Sequence, residues 1–264
     1  MNYTDGVKRV VIKVGTSTLT YESGSLNIRT MEKLVKVLAD LKNRGIEIVL
    51  VSSGAVGVGM GKVGFAKKPE QLDKKQALAA IGQCELMNFY DSLFSRFGHT
   101  VAQLLLTKDV IFDKTRYKNA KRTLENLFAM SAVPIINEND PISSEQLEFG
   151  DNDTLSAYVA ELTNADLLII LTDIDGLYDK NPKKYADAKI IDTVYEIDEK
   201  IESCAGAEGS NRGTGGMITK IHAAKIATGA GANMIIASGK DPYILYQIFD
   251  GEKKGTYFSA KKEN

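Results

Sequence analysis

Six short aliphatic and β-branched runs recur along this chain, at 9–14, 46–51, 101–106, 133–136, 167–171 and 234–237, and longer segments with helical spacing separate them. Such runs show little polar alternation, so they suit strands buried on both faces. That in turn requires a mainly parallel sheet covered by helices. Among the intervening segments, Met31, Leu34, Val35, Leu38 and Leu41 keep one helical face, and Gly45 stands where that helix should stop. Further helices are expected at 70–97, 116–130 and 216–228, the last ended by Gly229 and Gly231. After Leu171 the pattern breaks into turn residues between two short runs, 176–178 and 189–194, which predicts a hairpin or excursion. A smaller excursion is expected at 143–150. The expected fold class is α/β, built from βαβ units.

At 264 residues the chain could form one large α/β domain or two small ones. No Pro-, Gly- or Ser-rich linker divides it and no internal repeat is visible, so one domain with two functional lobes is expected. Charges balance, with 33 basic against 34 acidic residues, which removes any general attraction to nucleic acid or an anionic membrane. No apolar run is long enough to span a bilayer, and the N-terminal stretch lacks the apolar core of a signal peptide. Cys84 and Cys204 stand apart from each other and from any Cys/His cluster, which argues against structural zinc or a disulfide framework. A soluble cytoplasmic protein is expected.

In an open α/β sheet ligands gather beyond the carboxyl ends of the strands. Small hydroxyls, amides, carboxylates and glycines follow every expected strand: Gly15, Thr16, Ser17 and Thr18 after the first, Ser52, Ser53 and Gly54 after the second, Thr107 after the third. Asn137, Glu138, Asn139 and Asp140 follow the fourth, Thr172 and Asp173 the fifth, Ser238 and Gly239 the sixth. Any one of these could be a simple turn. Their recurrence at one sheet edge points to a site.

Lys13 interrupts the otherwise apolar VVIKV. A lysine there must reach an anion or snorkel to solvent, because an unpaired buried ammonium is costly. With the Gly-Thr-Ser-Thr loop behind it, it can form a phosphate cradle. GSNRGTGGMITK (209–220) is a second candidate, with glycines on both sides of Thr214 and Lys220 one turn into the next helix. Two cation-bearing loops suggest a polyphosphate held from both ends. No GxxxxGK[ST] occurs. Gly59, Gly61 and Gly64 match GxGxxG, but too far from the strand and with no acidic residue at the proper distance, so the match is rejected. His99 and His222 lie in no catalytic context. FGDNDTLSA (149–157) opens a helix whose apolar face is Leu155, Tyr158, Val159 and Leu162. Asp153 alone would suffice as its cap, which leaves Asp151 and Asn152 to explain.

KVGTSTLT (13–20), VSSGAVGVG (51–59), NENDPIS (137–143), FGDNDTLSA, LTDIDGLY (171–178) and GTGGMITK (213–220), in that order over 8–258, resemble the amino acid kinase family, and within it the members that act on glutamate. The resemblance implies an αβα three-layer sandwich, with an acceptor-binding lobe over about 1–165 and a nucleotide-binding lobe over about 166–264. It implies transfer of the γ-phosphoryl group of MgATP to the side-chain carboxylate of L-glutamate, the first step of proline synthesis. By the same resemblance Lys13 and Lys220 contact the phosphates, Asp153 orients both lysines, and Ser53, Asp140 and Asn152 hold glutamate. Gly15, Thr172, Asp173, Thr214, Gly215, Gly216, Met217, Ile218 and Thr219 join the two lysines around the nucleotide. Asp151 remains a turn residue without assigned chemistry.

No cluster of carboxylates suggests a dedicated metal cage, so Mg2+ is expected to arrive with ATP. The resemblance further implies a homodimer or homotetramer and feedback inhibition by L-proline. Many family members carry an additional C-terminal domain of a type found in RNA-modifying proteins, and with GTYFSAKKEN as the last stretch a short form without it is expected. Two alternatives differ from this reading. A sibling kinase acting on uridylate or another carboxylate would want basic residues where Asn137 to Asp140 stand. A regulatory module without catalysis would have no need of Lys13, Asp153 and Lys220 together.

Overall fold

The structure is a computed structural model describing residues 3–143, 149, 151–182, 184–206 and 216–260. Its strands are β1 (Arg9–Val14), β2 (Glu47–Ser52), β3 (Val101–Leu106), β4 (Val133–Glu138), β5 (Leu167–Thr172), β6 (Thr193–Val194), β7 (Asn233–Ser238) and β8 (Thr256–Phe258). They form one eight-stranded sheet in the order β3-β4-β2-β1-β5-β7-β8-β6. β1, β2, β3, β4, β5 and β7 run parallel, β8 is antiparallel to β7, and β6 follows β8. The helices are α1 (Thr16–Leu19), α2 (Ile28–Asn43), α3 (Ala55–Val63), α4 (Leu72–Ser95), α5 (Asp109–Phe112), α6 (Lys114–Ala129), α7 (Asn152–Thr163), α8 (Glu199–Gly206), α9 (Met217–Gly229) and α10 (Ile244–Phe249).

Strand residues alternate between two cores, as the two-residue period of a strand demands. Val10, Ile12 and Val14 pack in the layer of α2, α4 and α10. Val11 packs in the opposite layer, with α7 and α9. Lys13 shares the parity of Val11 and sits in register between Val51 of β2 and Ile170 of β5. Its side chain therefore leaves the central strand on the α7 and α9 side. The sandwich thus aims the one buried charged residue of β1 at two helix starts.

Two features depart from the sequence reading. The longer strands end one or two residues later than expected at β2, β4, β5 and β7, so Ser52, Asn137, Glu138, Thr172 and Ser238 belong to the sheet itself. The glycine-rich AVGVGMGKV is a helix, α3, rather than part of a loop. Glycine normally disfavours a helix interior, but here it is required by contact: a Cβ on Gly59 would meet the backbone of Leu78, and one on Gly82 of α4 would fall on the carbonyl of Ala55. Of the spurious GxGxxG match, Gly59 therefore serves the helix crossing, while Gly61 packs against Gly24. The segment after β5 does fold back as a hairpin, with Tyr178 bridged to Ile190 and Asp179 N–H donating to Lys189 C=O at 2.9 Å. The smaller excursion expected at 143–150 lies largely outside the described residues.

The α3 and α4 crossing supports a direct test. Gly82→Ala should destabilise the protein by about 1–3 kcal/mol, the usual cost of overpacking, while Gly229→Ala, with open space around it, should stay within about 0.5 kcal/mol of the parent. Urea denaturation midpoints compare the two, and equal stability would mean that the helices separate easily.

Candidate active site

β1 delivers Lys13 to the carboxyl edge, where the first turn of α7 and the start of α9 converge on it. Lys13 Nζ lies 2.5 Å from Asp153 Oδ1, and Lys220 Nζ lies 3.0 Å from Asp153 Oδ2. All three are buried, with relative exposures of 8% for Lys13, 1% for Asp153 and 4% for Lys220. Thr219 Oγ1 lies 3.0 Å from the same Oδ2 and 2.8 Å from the carbonyl of Gly216. Burial alone would push the Asp153 carboxyl up, but the two ammonium groups outweigh it and hold the group below its ordinary value. Asp153 is therefore an anion that orders two cations.

One residue earlier, Asn152 joins a second cluster. Its Nδ2 donates toward Ser53 Oγ at 2.8 Å, Asn137 Oδ1 at 2.8 Å and the Ser52 carbonyl at 3.2 Å. Asn137 Nδ2 in turn donates to Gln83 Oε1 at 2.9 Å. Ser52 Oγ lies 2.9 Å from Tyr90 OH, and burial holds that phenol above its ordinary value against the opposing pull of Ser52. The cluster ties the ends of β2 and β4 to α4 and α7. Beside it, the buried Glu138 accepts from Phe149 N–H at 2.8 Å and from Ser143 Oγ at 3.3 Å, which anchors the chain leading to α7. Asp140 follows β4 in this loop and is half-buried.

A third group sits at the ends of β5 and β7. Thr172 Oγ1 donates to Asp173 Oδ1 at 3.1 Å, and both residues line a cleft of about 240 Å³ with Ser17, Thr18, Gly239 and Lys240. Gly15 precedes α1, and a Cβ there would stand 3.9 Å from Lys13 Nζ. Gly216 is the N-cap of α9 in extended conformation. Met217 is buried in the core and Ile218 is exposed, so Met217 can meet a ligand only through its backbone. Thr214 and Gly215 lie outside the described residues.

The expected cap of α7 is corrected. Asp151, not Asp153, caps the helix: its Oδ1 accepts from Thr154 N–H at 2.8 Å and its Oδ2 from Thr154 Oγ1 at 3.1 Å. An N-cap residue is extended, and Asp151 has φ −161° and ψ 152°. The helix therefore starts at Asn152, so Asp153 is free of capping and turns inward. Asn137 was visible in the sequence only as one polar residue among several at a strand end. Gln83 lacked any signal, and Thr219 was named only as a nucleotide residue, not as a partner of Asp153.

The fold and this constellation together define a class. The chain belongs to the amino acid kinase family, whose profile matches residues 8–238. It is 54% identical to glutamate 5-kinase of Clostridium perfringens (strain 13 / Type A), over 97% of this chain and 96% of that protein. It is also 54% identical to glutamate 5-kinase of Thermoanaerobacter sp. (strain X514), over 97% of this chain and 68% of that one. Among solved structures, UMP kinase from Bacillus anthracis superposes with a TM-score of 0.65 at 16% identity, covering 97% of both chains. Isopentenyl phosphate kinase of T. acidophilum gives 0.62 at 16% identity, over 95% of this chain and 99% of that one. These two share the fold.

The depressed carboxyl sets a pH signature. Its contribution to stability is complete above the ordinary carboxylate value and is lost as pH falls through the lower folded value. At pH 7 Asp153→Asn should cost about 3–5 kcal/mol, because two ammonium groups lose their shared counter-ion, and the gap to the parent should narrow below about pH 4. Denaturant titrations from neutral to acid pH measure it. A gap that ignores pH would remove the ion pairs as its cause.

Proposed function

We propose that this chain transfers the γ-phosphoryl group of MgATP to the side-chain carboxylate of L-glutamate, giving L-glutamate 5-phosphate and MgADP, the first step of proline synthesis. The relatives named above support the substrate pair. One observation carries the chemical reading: adjacent residues of a single helix turn serve two different clusters. Asn152 reaches into the amide and hydroxyl group, while Asp153 holds both lysines. Acceptor and phosphates are thereby fixed relative to each other by one stretch of backbone.

A carboxylate is already a nucleophile at neutral pH, so the step needs no general base. The carboxylate oxygen attacks the γ-phosphorus, a new P–O bond forms, and the bond to the bridging oxygen of ADP breaks. The work left to the protein is positioning and neutralising charge on the transferring group. In this reading Lys13 and Lys220 do the neutralising, and Asp153 keeps them in place. Ser53 and Asn152 hold glutamate, and Asp140 suits its ammonium group. Gly15, Thr172, Asp173 and the stretch from Thr214 to Lys220 line the nucleotide site.

Among the described residues no group of three or more His, Cys, Asp or Glu could hold a metal ion, and the carboxylate of Asp153 is engaged by lysines. Magnesium accordingly enters as part of the substrate MgATP, and it supplies further charge neutralisation on the phosphates. The division into an acceptor lobe and a nucleotide lobe, inhibition by L-proline, assembly into dimers or tetramers, and a cytoplasmic setting extend the same reading from the family. A phosphate-bearing acceptor such as uridylate fits poorly. Around β2 and β4 the described acceptor side chains are Ser53, Asn137, Glu138, Asp140 and Asn152, which offer no cation.

Incubation with MgATP, hydroxylamine and a panel of acids tests the proposal, since an acyl phosphate is trapped as a hydroxamate. Glutamate should give hydroxamate and aspartate should not. Lys220→Met should lower kcat by about 10²–10³, the usual loss for one preorganised charge at a transition state. No hydroxamate from any acid would refute the carboxylate-kinase reading.

A further inference from the structure

Gln83 lies on α4, outside every motif that marks the site, yet it begins a directional chain of amides that ends at the acceptor cluster. Its Oε1 accepts from Asn137 Nδ2 at 2.9 Å, Asn137 Oδ1 accepts from Asn152 Nδ2 at 2.8 Å, and Asn152 Nδ2 also donates to Ser53 Oγ at 2.8 Å. Gln83 and Asn137 are both buried. Each amide has one acceptor side and one donor side, so the polarity of the first fixes that of the next. The Ser52 carbonyl can only accept, so Asn152 turns its nitrogen inward, Asn137 meets it with oxygen and Asn137 turns its own nitrogen toward α4. Gln83 Oε1 is the acceptor that completes this polarity.

Two consequences follow for a bound amino acid. The two Nδ2 protons of Asn152 are shared among three protein acceptors, so what this amide has to offer a ligand is its carbonyl oxygen. Ser53 Oγ accepts from Asn152 and so keeps its own proton for donation. The pair thus presents an acceptor suited to an ammonium group and a donor suited to a carboxylate. Reversing the chain would exchange these roles and disfavour a zwitterion.

The anchor is rigid. Gly82, the residue before Gln83, packs so tightly under α3 that a Cβ there would meet the backbone of Ala55, and α3 itself begins two residues after Ser53. The position of Gln83 relative to Ser53 is thus set by a backbone-to-backbone helix crossing.

We propose that Gln83 is a positioning residue for the amino-acid substrate, holding Asn137 in the amide polarity through which it and Asn152 recognise glutamate. The inference rests on the glutamate kinase reading and adds a specificity determinant that touches no substrate atom. It predicts an effect confined to glutamate binding. Gln83→Met, nearly equal in size and unable to accept strongly, should raise the glutamate KM by about tenfold, with kcat and the ATP KM within about twofold of the parent. Gln83→Glu keeps an acceptor at the same place and should recover most of the loss, to within about threefold of the parent. A merely structural role would move both substrates and melting together, and would not be rescued by Gln83→Glu.

The assay is the same hydroxamate formation, with melting temperatures in parallel. An unchanged glutamate KM in Gln83→Met, or equal losses for both substrates, overturns the proposal while wild-type activity leaves the function intact. If Gln83→Met does not fold, Gln83→Glu decides alone: a KM within about threefold supports the acceptor role and a rise beyond about tenfold overturns it. A wild-type protein that forms no hydroxamate fails the functional reading itself, and the positioning role falls with it.

Discussion

A buried carboxylate shared by two buried lysines is the contact on which the site depends. Lys13 comes from the central strand, Lys220 from the first turn of α9, and Asp153 from the first turn of α7, so their ion pairs join the sheet to two helices of one layer. Neither ammonium could remain charged and buried there without an anion, and Asp153 could not remain an anion without them. Desolvation consumes much of the Coulombic gain in such an arrangement, so its value lies in geometry more than in stability. Two fixed cations at a sheet edge are costly to assemble, and they suit the neutralisation of a polyphosphate that the proposed function requires.

The same turn of helix explains how one fold couples two substrates. Asp151 caps α7, which leaves the next two residues free to point different ways. Asn152 enters a neutral network of amides and hydroxyls, and Asp153 enters the charged triad. Under the proposed function, the neutral cluster would recognise a zwitterion by directed hydrogen bonds and the charged one would bind phosphate by field and contact. Keeping these two modes one residue apart limits how far the nucleophile can stray from the transferring group, where small misplacements carry large kinetic costs.

Much of this was legible because strands buried on both faces tolerate few exceptions. Lys13 stood out as a charge inside VVIKV, and the polar residues after each strand marked the edge at which ligands collect. The strand ends were read short because Ser52, Asn137, Glu138 and Thr172 are polar, and apolar patterning cannot follow a strand into its own site. Three successive polar residues at 151–153 fitted the cap only to within two positions, and only backbone conformation distinguished them. α3 was hidden because its glycines argue against a helix until the partner helix is seen. Gln83 was hidden because a glutamine amid AIGQCEL reads as a solvent-facing residue. Burial depends on what lies across from it, in β4 and α7, 54 and more residues away in sequence.

The central claim is that the side-chain carboxylate oxygen of glutamate attacks the γ-phosphorus between the two lysines. Glutamate carrying oxygen-18 in its side-chain carboxylate, MgATP and hydroxylamine test it in one tube. Hydroxylamine attacks the acyl carbon and releases phosphate with the bridging oxygen, so mass spectrometry should find phosphate bearing one labelled atom for each hydroxamate formed. Phosphate without label would show that water, rather than glutamate, had taken the phosphoryl group, and would contradict the account.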